Sequence, residues 1–345
     1  MDNILSLTEQ EQRQFFEEAG NRLGLPRTSI EKDFWVCWTL RELFRLPGWG
    51  EHLTFKGGTS LSKGWKLIQR FSEDIDIVID RGPLGFGGEN SPEAARSSKG
   101  RRNRLEGLRA ACRRAVQDSI EPAFKGLCGE RMPAGMSWAI GEDATDPDGQ
   151  TLLFHYPQLF APGTGYLRPQ VKVELGARSD TEPAADVLLV PYLAEVFTDF
   201  KTESEFSVRA VRPERTFWEK AMLLHEETFR PLGKPRKARL ARHYYDLSCL
   251  IDSGVAVQAA GTPGLFDRVA AHRQIYFRQN WVDYSTLRPG TLRLTPSEED
   301  IPHWTEDYTT MQEDMFFGEV PSFAQVLAVV GKFEMQLNQG AFERP

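Results

Sequence analysis

The stretch from Phe55 to Asp80, FKGGTSLSKGWKLIQRFSEDIDIVID, constrains this chain most, because it sets a glycine pair, a helical period and two carboxylates in one unit. Gly57 and Gly58 follow the β-prone run Leu53-Thr54-Phe55, and a glycine backbone turns tightly and approaches a ligand where a Cβ would obstruct it. Thr59 and Ser60 open a segment in which Leu61, Trp65 and Ile68 recur at helical spacing, so a short helix is expected. Free N–H groups at such a helix start, with hydroxyls beside them, suit a phosphate. After Arg70 the period becomes two: Ile75, Ile77 and Ile79 alternate with Asp74, Asp76 and Val78, a strand with one apolar face. Asp74 and Asp76 then point the same way. Their attachment points lie roughly 6.6 Å apart, and at an effective dielectric near 20 two unit charges at that spacing repel by about 2.5 kcal/mol. A cation between them relieves this. Mg²⁺, with Mn²⁺ as its substitute, is the hard ion that takes carboxylate and phosphate oxygens together. The competing reading of an aspartate pair is a solvated strand edge, and the glycine pair upstream weighs against it.

The 345 residues, 40 % of them hydrophobic, suffice for two lobes and a sizeable core. Cys37, Cys112, Cys128 and Cys249 show neither paired metal-ligand spacing nor a disulfide framework, so buried reduced thiols are expected and a zinc site is not. No stretch approaches the ~20 apolar residues of a membrane span, so no membrane partner and a cytoplasmic location are expected.

Residues 8–23 read as an amphipathic helix, and Pro26 separates it from a second that runs to Pro47-Gly48. Thr28 with Glu31 three positions on has the form of a capping box. Glu31-Lys32-Asp33 in this helix reads either as a solvent-facing charged turn or as support for the sheet behind the carboxylates. Residues 81–98, rich in Gly, Pro and Ser, read as a loop. Strands are expected at 136–140, 151–156 and 169–175, separated by TDPDG and APGTG turns, and again at 206–211. In Gln170-Val-Lys172-Val-Glu174-Leu, the residues Lys172 and Glu174 share one face, so this strand presents a carboxylate; the alternative is a Lys/Glu pair on a sheet edge. From Pro213, at a plausible first helical position, the chain is mainly helical, and Arg242 and Asp246 are spaced for an i, i+4 pair.

Net charge is −7, so contact with nucleic acid must rely on local patches. Two exist. Residues 99–114 hold seven Lys or Arg against one Glu, including Arg101, Arg102 and Arg104, and 230–242 hold six with no acid, including Arg236, Lys237 and Arg239. These are the concentrated positive segments that a polyanion such as RNA requires, although a solvated basic loop is the plainer alternative.

Gly57-Gly-Thr-Ser-Leu followed by Arg70-Phe-Ser-Glu-Asp74-Ile-Asp76 resembles the first motif of the AbiEii/AbiGii nucleotidyltransferase toxins, a branch of the polymerase-β-like superfamily, with further likeness scattered from about Ile30 to Asn338. The Glu31-Lys32-Asp33 string, the lysine string ending in Lys220, and Arg242-His-Tyr-Tyr-Asp246 resemble further elements of that family. The resemblance implies an α+β, bilobed nucleotidyltransferase fold: a mixed central sheet with flanking helices in a catalytic domain over 1–212, and a helical lobe over 213–345. It implies metal-dependent transfer of a nucleoside monophosphate from an NTP to an acceptor hydroxyl. Asp74, Asp76 and Glu174 are the implied metal ligands, Glu174 standing where the family usually has Asp. Gly57, Gly58, Thr59, Ser60, Arg70, Lys220 and Arg242 are the implied nucleotide contacts, and Lys220 and Asp246 join the carboxylates as catalytic residues. The gap from Gly58 to Asp74 exceeds the generic superfamily spacing, leaving open whether Thr59 or Ser60 fills the hydroxyl role.

The expected acceptor is the 3′ end of tRNA, modified by the toxin of a toxin–antitoxin or abortive-infection system whose antitoxin is encoded nearby. Two other readings compete: nucleotidylation of a protein or a small molecule such as an antibiotic, and a catalytically idle RNA-binding module. The basic segments weigh against the first of these, and the carboxylates with Lys220 against the second.

Overall fold

Seven strands form one mixed sheet in a computed structural model that describes residues 1–70, 74–161, 168–231, 233–316 and 319–342. They are β1 (Leu53–Lys56), β2 (Asp74–Ile79), β3 (Ala139–Glu142), β4 (Thr151–His155), β5 (Val171–Gly176), β6 (Ala184–Leu189) and β7 (Phe206–Val211). Their order across the sheet is β3-β4-β5-β2-β1-β7-β6. β2 lies near the middle, antiparallel to β1 and parallel to β5, while β3, β4 and β5 run antiparallel in turn and β1 pairs parallel with β7.

The alternation in β2 explains its place. Ile75, Ile77 and Ile79 are buried on one face, and their branched side chains fit a pleated, packed surface. Asp74 and Asp76, on the other face, remain partly exposed. The long helix Arg27–Leu43 carries two tryptophans into an aromatic cluster with β4 and the residue that follows it: Trp38 stacks on Phe154 at 5.6 Å, and Trp35 on Tyr156 at 5.6 Å. Each such pair contributes about 0.5–1.5 kcal/mol beyond its area burial.

The chain packs as two compact units, Met1–Gly64 with Glu73–Ala210, and Trp65–Ser72 with Val211–Pro345. All the strands but the last residue of β7 lie in the first. The second is helical, with a core that includes Phe217, Trp218 and Phe333 and another aromatic group of Tyr244, Trp304 and Phe323. Trp65, read from sequence as part of a helix continuing from Thr59, instead donates its indole N–H to the Val211 carbonyl in the second unit (3.1 Å). That helix is short: a turn at Gly57–Thr59 runs into a π-helical turn at Ser60–Gly64, and Lys66 then takes a left-handed conformation (φ 54°) that an α-helix cannot contain.

Other expectations change too. The capping box forms at Thr8 and Glu11 rather than at Thr28 and Glu31, because the second helix already begins at Arg27 and places Thr28 within its first turn. β6 had no counterpart in the expected strands. β5 is interior, so Lys172 and Glu174 are not an edge pair. Most of the APGTG turn, and Phe71, Ser72 and Glu73 of the first motif, lie outside the described residues.

Candidate active site

In the first unit, the site is built by three adjacent strands. β1 delivers the chain to Gly57, which adopts φ +80°, a left-handed conformation that favours glycine. A Cβ built there would stand 1.9 Å from Asp76 Oδ2, so the backbone of the turn lies directly against that carboxylate. Asp76 is in register with Glu174 on β5, and Asp74 with Lys172. The face therefore carries Asp74, Asp76, Glu174 and Lys172 on neighbouring positions.

Their electrostatics are partly balanced from within. Lys172 Nζ lies 2.7 Å from Glu174 Oε1 and 3.3 Å from Asp143 Oδ2. Burial works against its charge, but the hydrogen bond to Glu174 and the nearby Asp74 hold the ammonium above its ordinary range. Among the described residues, no three His, Cys, Asp or Glu side chains are gathered into a metal-holding group. The donor chemistry of Asp74 and Asp76 nevertheless fits a hard divalent ion, which needs only one or two protein carboxylates when phosphate oxygens and water complete its shell. Glu174, in register with Asp76, has one carboxylate oxygen held by Lys172.

Gly57 and Gly58 are partly exposed, whereas Thr59 and Ser60 are buried. The Thr59 hydroxyl donates to the Asp74 carbonyl and the Ser60 hydroxyl to the Gly57 carbonyl (2.9 Å). Both hydroxyls expected to face a phosphate are thus turned into the fold, and what the turn exposes is glycine backbone.

The second unit holds a buried charge cluster. Arg70 grips Asp246 with two hydrogen bonds, Nε to Oδ1 at 2.7 Å and Nη2 to Oδ2 at 2.8 Å. Lys220, on the helix Pro213–Glu227, reaches the same carboxylate at 2.8 Å, and its Nζ lies 3.5 Å from His243 Nδ1. Burial alone would push the Asp246 carboxyl up, yet Arg70 and then Lys220 hold it far below the usual carboxylate range. Burial first, then the Arg70 cation, lowers Lys220, and burial with Lys220 and Arg242 keeps the His243 imidazole neutral. Two cations on one carboxylate leave a surplus positive charge.

The burial and pairing of these residues exclude the blander alternatives that local spacing allows. Lys220 and Asp246 are not surface residues; they are 7 % and 0 % exposed. Asp246 is paired with Arg70 and Lys220 rather than with Arg242, and Arg70 is spent on this carboxylate. The Glu31-Lys32-Asp33 string is also buried: Glu31 accepts the Leu159 N–H (2.6 Å), Lys32 donates to the Arg168 carbonyl (3.0 Å), and Asp33 pairs with Lys63 (2.8 Å).

The basic segments divide into committed and available charges. In the helix Ser98–Ala115, Arg104 braces the preceding loop through the Glu89 and Ser91 carbonyls, and Arg113 holds the Pro147 and Asp148 carbonyls. Arg101 is partly buried, while Lys99, Arg102, Arg109 and Arg114 are exposed. In the second segment Arg236 pairs with Asp300 (3.1 Å) and lies 5.0 Å over Trp304, the Arg239 and Ala241 N–H groups donate to Asp307, and Lys237 is exposed. The charge run at 230–242 is therefore largely a braced loop, lining a cavity of about 400 Å³ with Asp300, Trp304 and Asp307.

No curated protein matches the chain in sequence. Among solved structures it is similar to MenT4, a nucleotidyltransferase toxin from Mycobacterium tuberculosis H37Rv, with a TM-score of 0.51 and 17% identity over 96% of this chain and 90% of that one, a likeness of fold. The profile of the family described as nucleotidyl transferase AbiEii toxin, type IV TA system, matches residues 38–329, a span that holds the glycine turn, β2, Glu174, Lys220 and Asp246. The chain belongs to the AbiEii nucleotidyltransferase toxin family of type IV toxin–antitoxin systems and is an NTP-dependent nucleotidyltransferase.

Proposed function

We propose that this toxin transfers a nucleoside monophosphate to the 3′ end of tRNA, with Mg²⁺ held by Asp74 and Asp76. The observation that carries the reading is the close approach of the Gly57 backbone to Asp76 on a strand face that also presents Asp74. A phosphate chain laid along the exposed glycine backbone would run beside the carboxylates, and the bound metal would supply charge neutralisation for the phosphoryl oxygens.

The chain's own residues do the rest. Gly57 and Gly58 receive the triphosphate through backbone rather than hydroxyl contacts. Glu174 takes the proton of the acceptor hydroxyl as its oxygen bonds to the α-phosphorus, with Lys172 steadying the carboxylate at 2.7 Å. The bond from the α-phosphorus to the bridging oxygen breaks, and pyrophosphate leaves. By its place in the lysine string that resembles the family's, Lys220, oriented by Asp246 at 2.8 Å, is the cation we assign to the leaving phosphates, where preorganised charge is worth about 3–4 kcal/mol. Arg70 acts by holding Asp246. Partners are the NTP, tRNA, and an antitoxin encoded nearby; among the described residues no helix is long and apolar enough to cross a membrane.

The test is to incubate the protein with total RNA, Mg²⁺ and each NTP in turn and to sequence the RNA 3′ ends. Added nucleotides on tRNA ends are expected. Label found on protein and never on RNA would overturn the acceptor assignment.

A further inference from the structure

Asp33 and Lys63 form an ion pair that the proposed chemistry does not use. Lys63 lies in the π-helical turn Ser60–Gly64, which continues directly from the glycine turn, and its Nζ lies 2.8 Å from Asp33 Oδ1 on the helix Arg27–Leu43. Both residues are buried, at 7 % exposure for Lys63 and 3 % for Asp33. The other Asp33 oxygen accepts the Tyr192 N–H (2.6 Å), and the Tyr192 ring centre is 3.6 Å from the Lys63 ammonium. Three elements thus meet at one pair: the helix behind the sheet, the segment after the glycines, and the short helix Tyr192–Val196.

A buried ion pair is a poor way to gain stability. Desolvating both charges costs several kcal/mol, and a well-packed apolar pair of similar volume is often as stable or more so. What an ion pair supplies is a definite geometry, since each charge must meet its partner at hydrogen-bond distance. The segment held here begins at Gly57. It is tied near its start by the Thr59 hydroxyl on the Asp74 carbonyl and near its end by Lys63 on Asp33. Gly64, next to Lys63, is pressed against Val187, where a Cβ would come within 3.1 Å.

We propose that Asp33 and Lys63 are positioning residues for the nucleotide: the pair fixes the Gly57–Gly64 segment in the conformation that receives the triphosphate, and Lys63 is not itself a phosphate ligand. This rests on the reading of the glycine turn as the triphosphate site. A lysine placed just after two glycines and two hydroxyl residues resembles a phosphate-binding lysine in sequence; its burial against Asp33 assigns it the other role.

The experiment compares the neutral double variant Asp33→Asn/Lys63→Met with the wild type. The asparagine side chain keeps an acceptor for the Tyr192 N–H, and the methionine side chain keeps most of the volume of the lysine. The expected result is an unfolding midpoint close to wild type, faster amide exchange confined to residues 57–64, and a Kd for NTP in Mg²⁺ raised about tenfold, with RNA affinity changed less than about twofold. Lys63→Arg, which keeps the charge, should recover most of the nucleotide affinity. A folded double variant with wild-type NTP affinity overturns the proposal, and so does one that fails to fold, since the pair would then hold the whole unit rather than one segment. Gly57→Ala, measured in parallel, separates this from the underlying reading. If Gly57→Ala weakens NTP binding and the double variant does not, the pair has no positioning role while the glycine turn stands. If neither does, the turn is not the triphosphate site.

Discussion

Asp76 Oδ2 occupies the space that a side chain on Gly57 would need, coming within 1.9 Å of the Cβ position. The two residues therefore define each other: the left-handed turn against Asp76 requires glycine, and the carboxylate lies against backbone because no side chain intervenes. Gly57→Ala should displace the carboxylate and strain the turn, at a cost of about 1–2 kcal/mol for the left-handed conformation. Transfer should fall by about 10²-fold, as expected for misplacing a reacting group by an ångström. Steady-state rates and a thermal melt check both parts, and wild-type turnover would remove the close approach from the mechanism.

Asp76→Ala should abolish transfer and leave the unfolding midpoint near wild type, because Asp76 is partly exposed and lies on the face opposite the isoleucines. Full activity of the wild type in excess chelator would remove the metal from the proposal.

The cluster around Asp246 predicts opposite outcomes for its members. Lys220→Ala leaves Asp246 paired with Arg70, so the protein should fold and lose about 10²–10³-fold in rate. Asp246→Asn leaves two buried cations on a neutral partner and should lose stability, by about 3–5 kcal/mol for a broken buried pair. The pH dependence has a definite sign. Since the folded Asp246 carboxyl is held below its ordinary value of 3.8, its stabilising contribution is complete above that value and is lost as pH falls below it. Denaturant titrations of the wild type and of Asp246→Asn across acid pH measure this.

These relationships were unequally legible in the sequence. The isoleucine alternation located β2, and the run before the glycines located β1, because strand period and turn chemistry are local. Charged partners are not. Arg70 and Asp246 are 176 residues apart, and Asp33 meets Tyr192 across 159. Nothing in the spacing of Arg242 and Asp246 betrays that the carboxylate faces elsewhere on its helix. For the same reason Glu31-Lys32-Asp33, three charges in a row, reads as a solvated turn until the chain brings a partner to each. β6, Ala184–Leu189, has a mixed burial pattern and little apolar alternation, so it is recognisable only by its place beside β7.

Glu31 supplies a second pH test, of stability rather than activity. Burial raises its carboxyl to about 7, outweighing the hydrogen bonds from the Leu159 and Phe160 N–H groups. In the unfolded chain it titrates near its ordinary value of 4.5. Between these values the folded state holds the extra proton, so this group's contribution to stability declines as pH rises from 4.5 to about 7 and is level beyond. Glu31→Gln keeps an acceptor for the Leu159 N–H and should flatten the curve in that window. An unchanged slope would mean that the carboxyl titrates normally.

For the acceptor, the engaged charges decide which substitutions are informative. Phosphate contacts supply affinity without reading sequence, and each one lost reduces the salt dependence of binding by about one in log–log slope. On the helix Ser98–Ala115, Arg102, Arg109 and Arg114 are exposed, whereas Arg104 holds a loop in place. Reversing Arg102, Arg109 and Arg114 to Glu should raise the KM for RNA and shallow its salt dependence, with the KM for NTP nearly unchanged. Reversing Arg236 should instead destabilise the second unit, because Asp300 at 3.1 Å and Glu227 at 3.7 Å would face a like charge. Lys237, exposed in the same segment, gives the cleaner probe there. Toxicity on expression should fall in step with RNA modification in the helix variants, since a blocked acceptor end stops aminoacylation. If the triple reversal modifies RNA as well as wild type at physiological salt, the acceptor does not bind this helix.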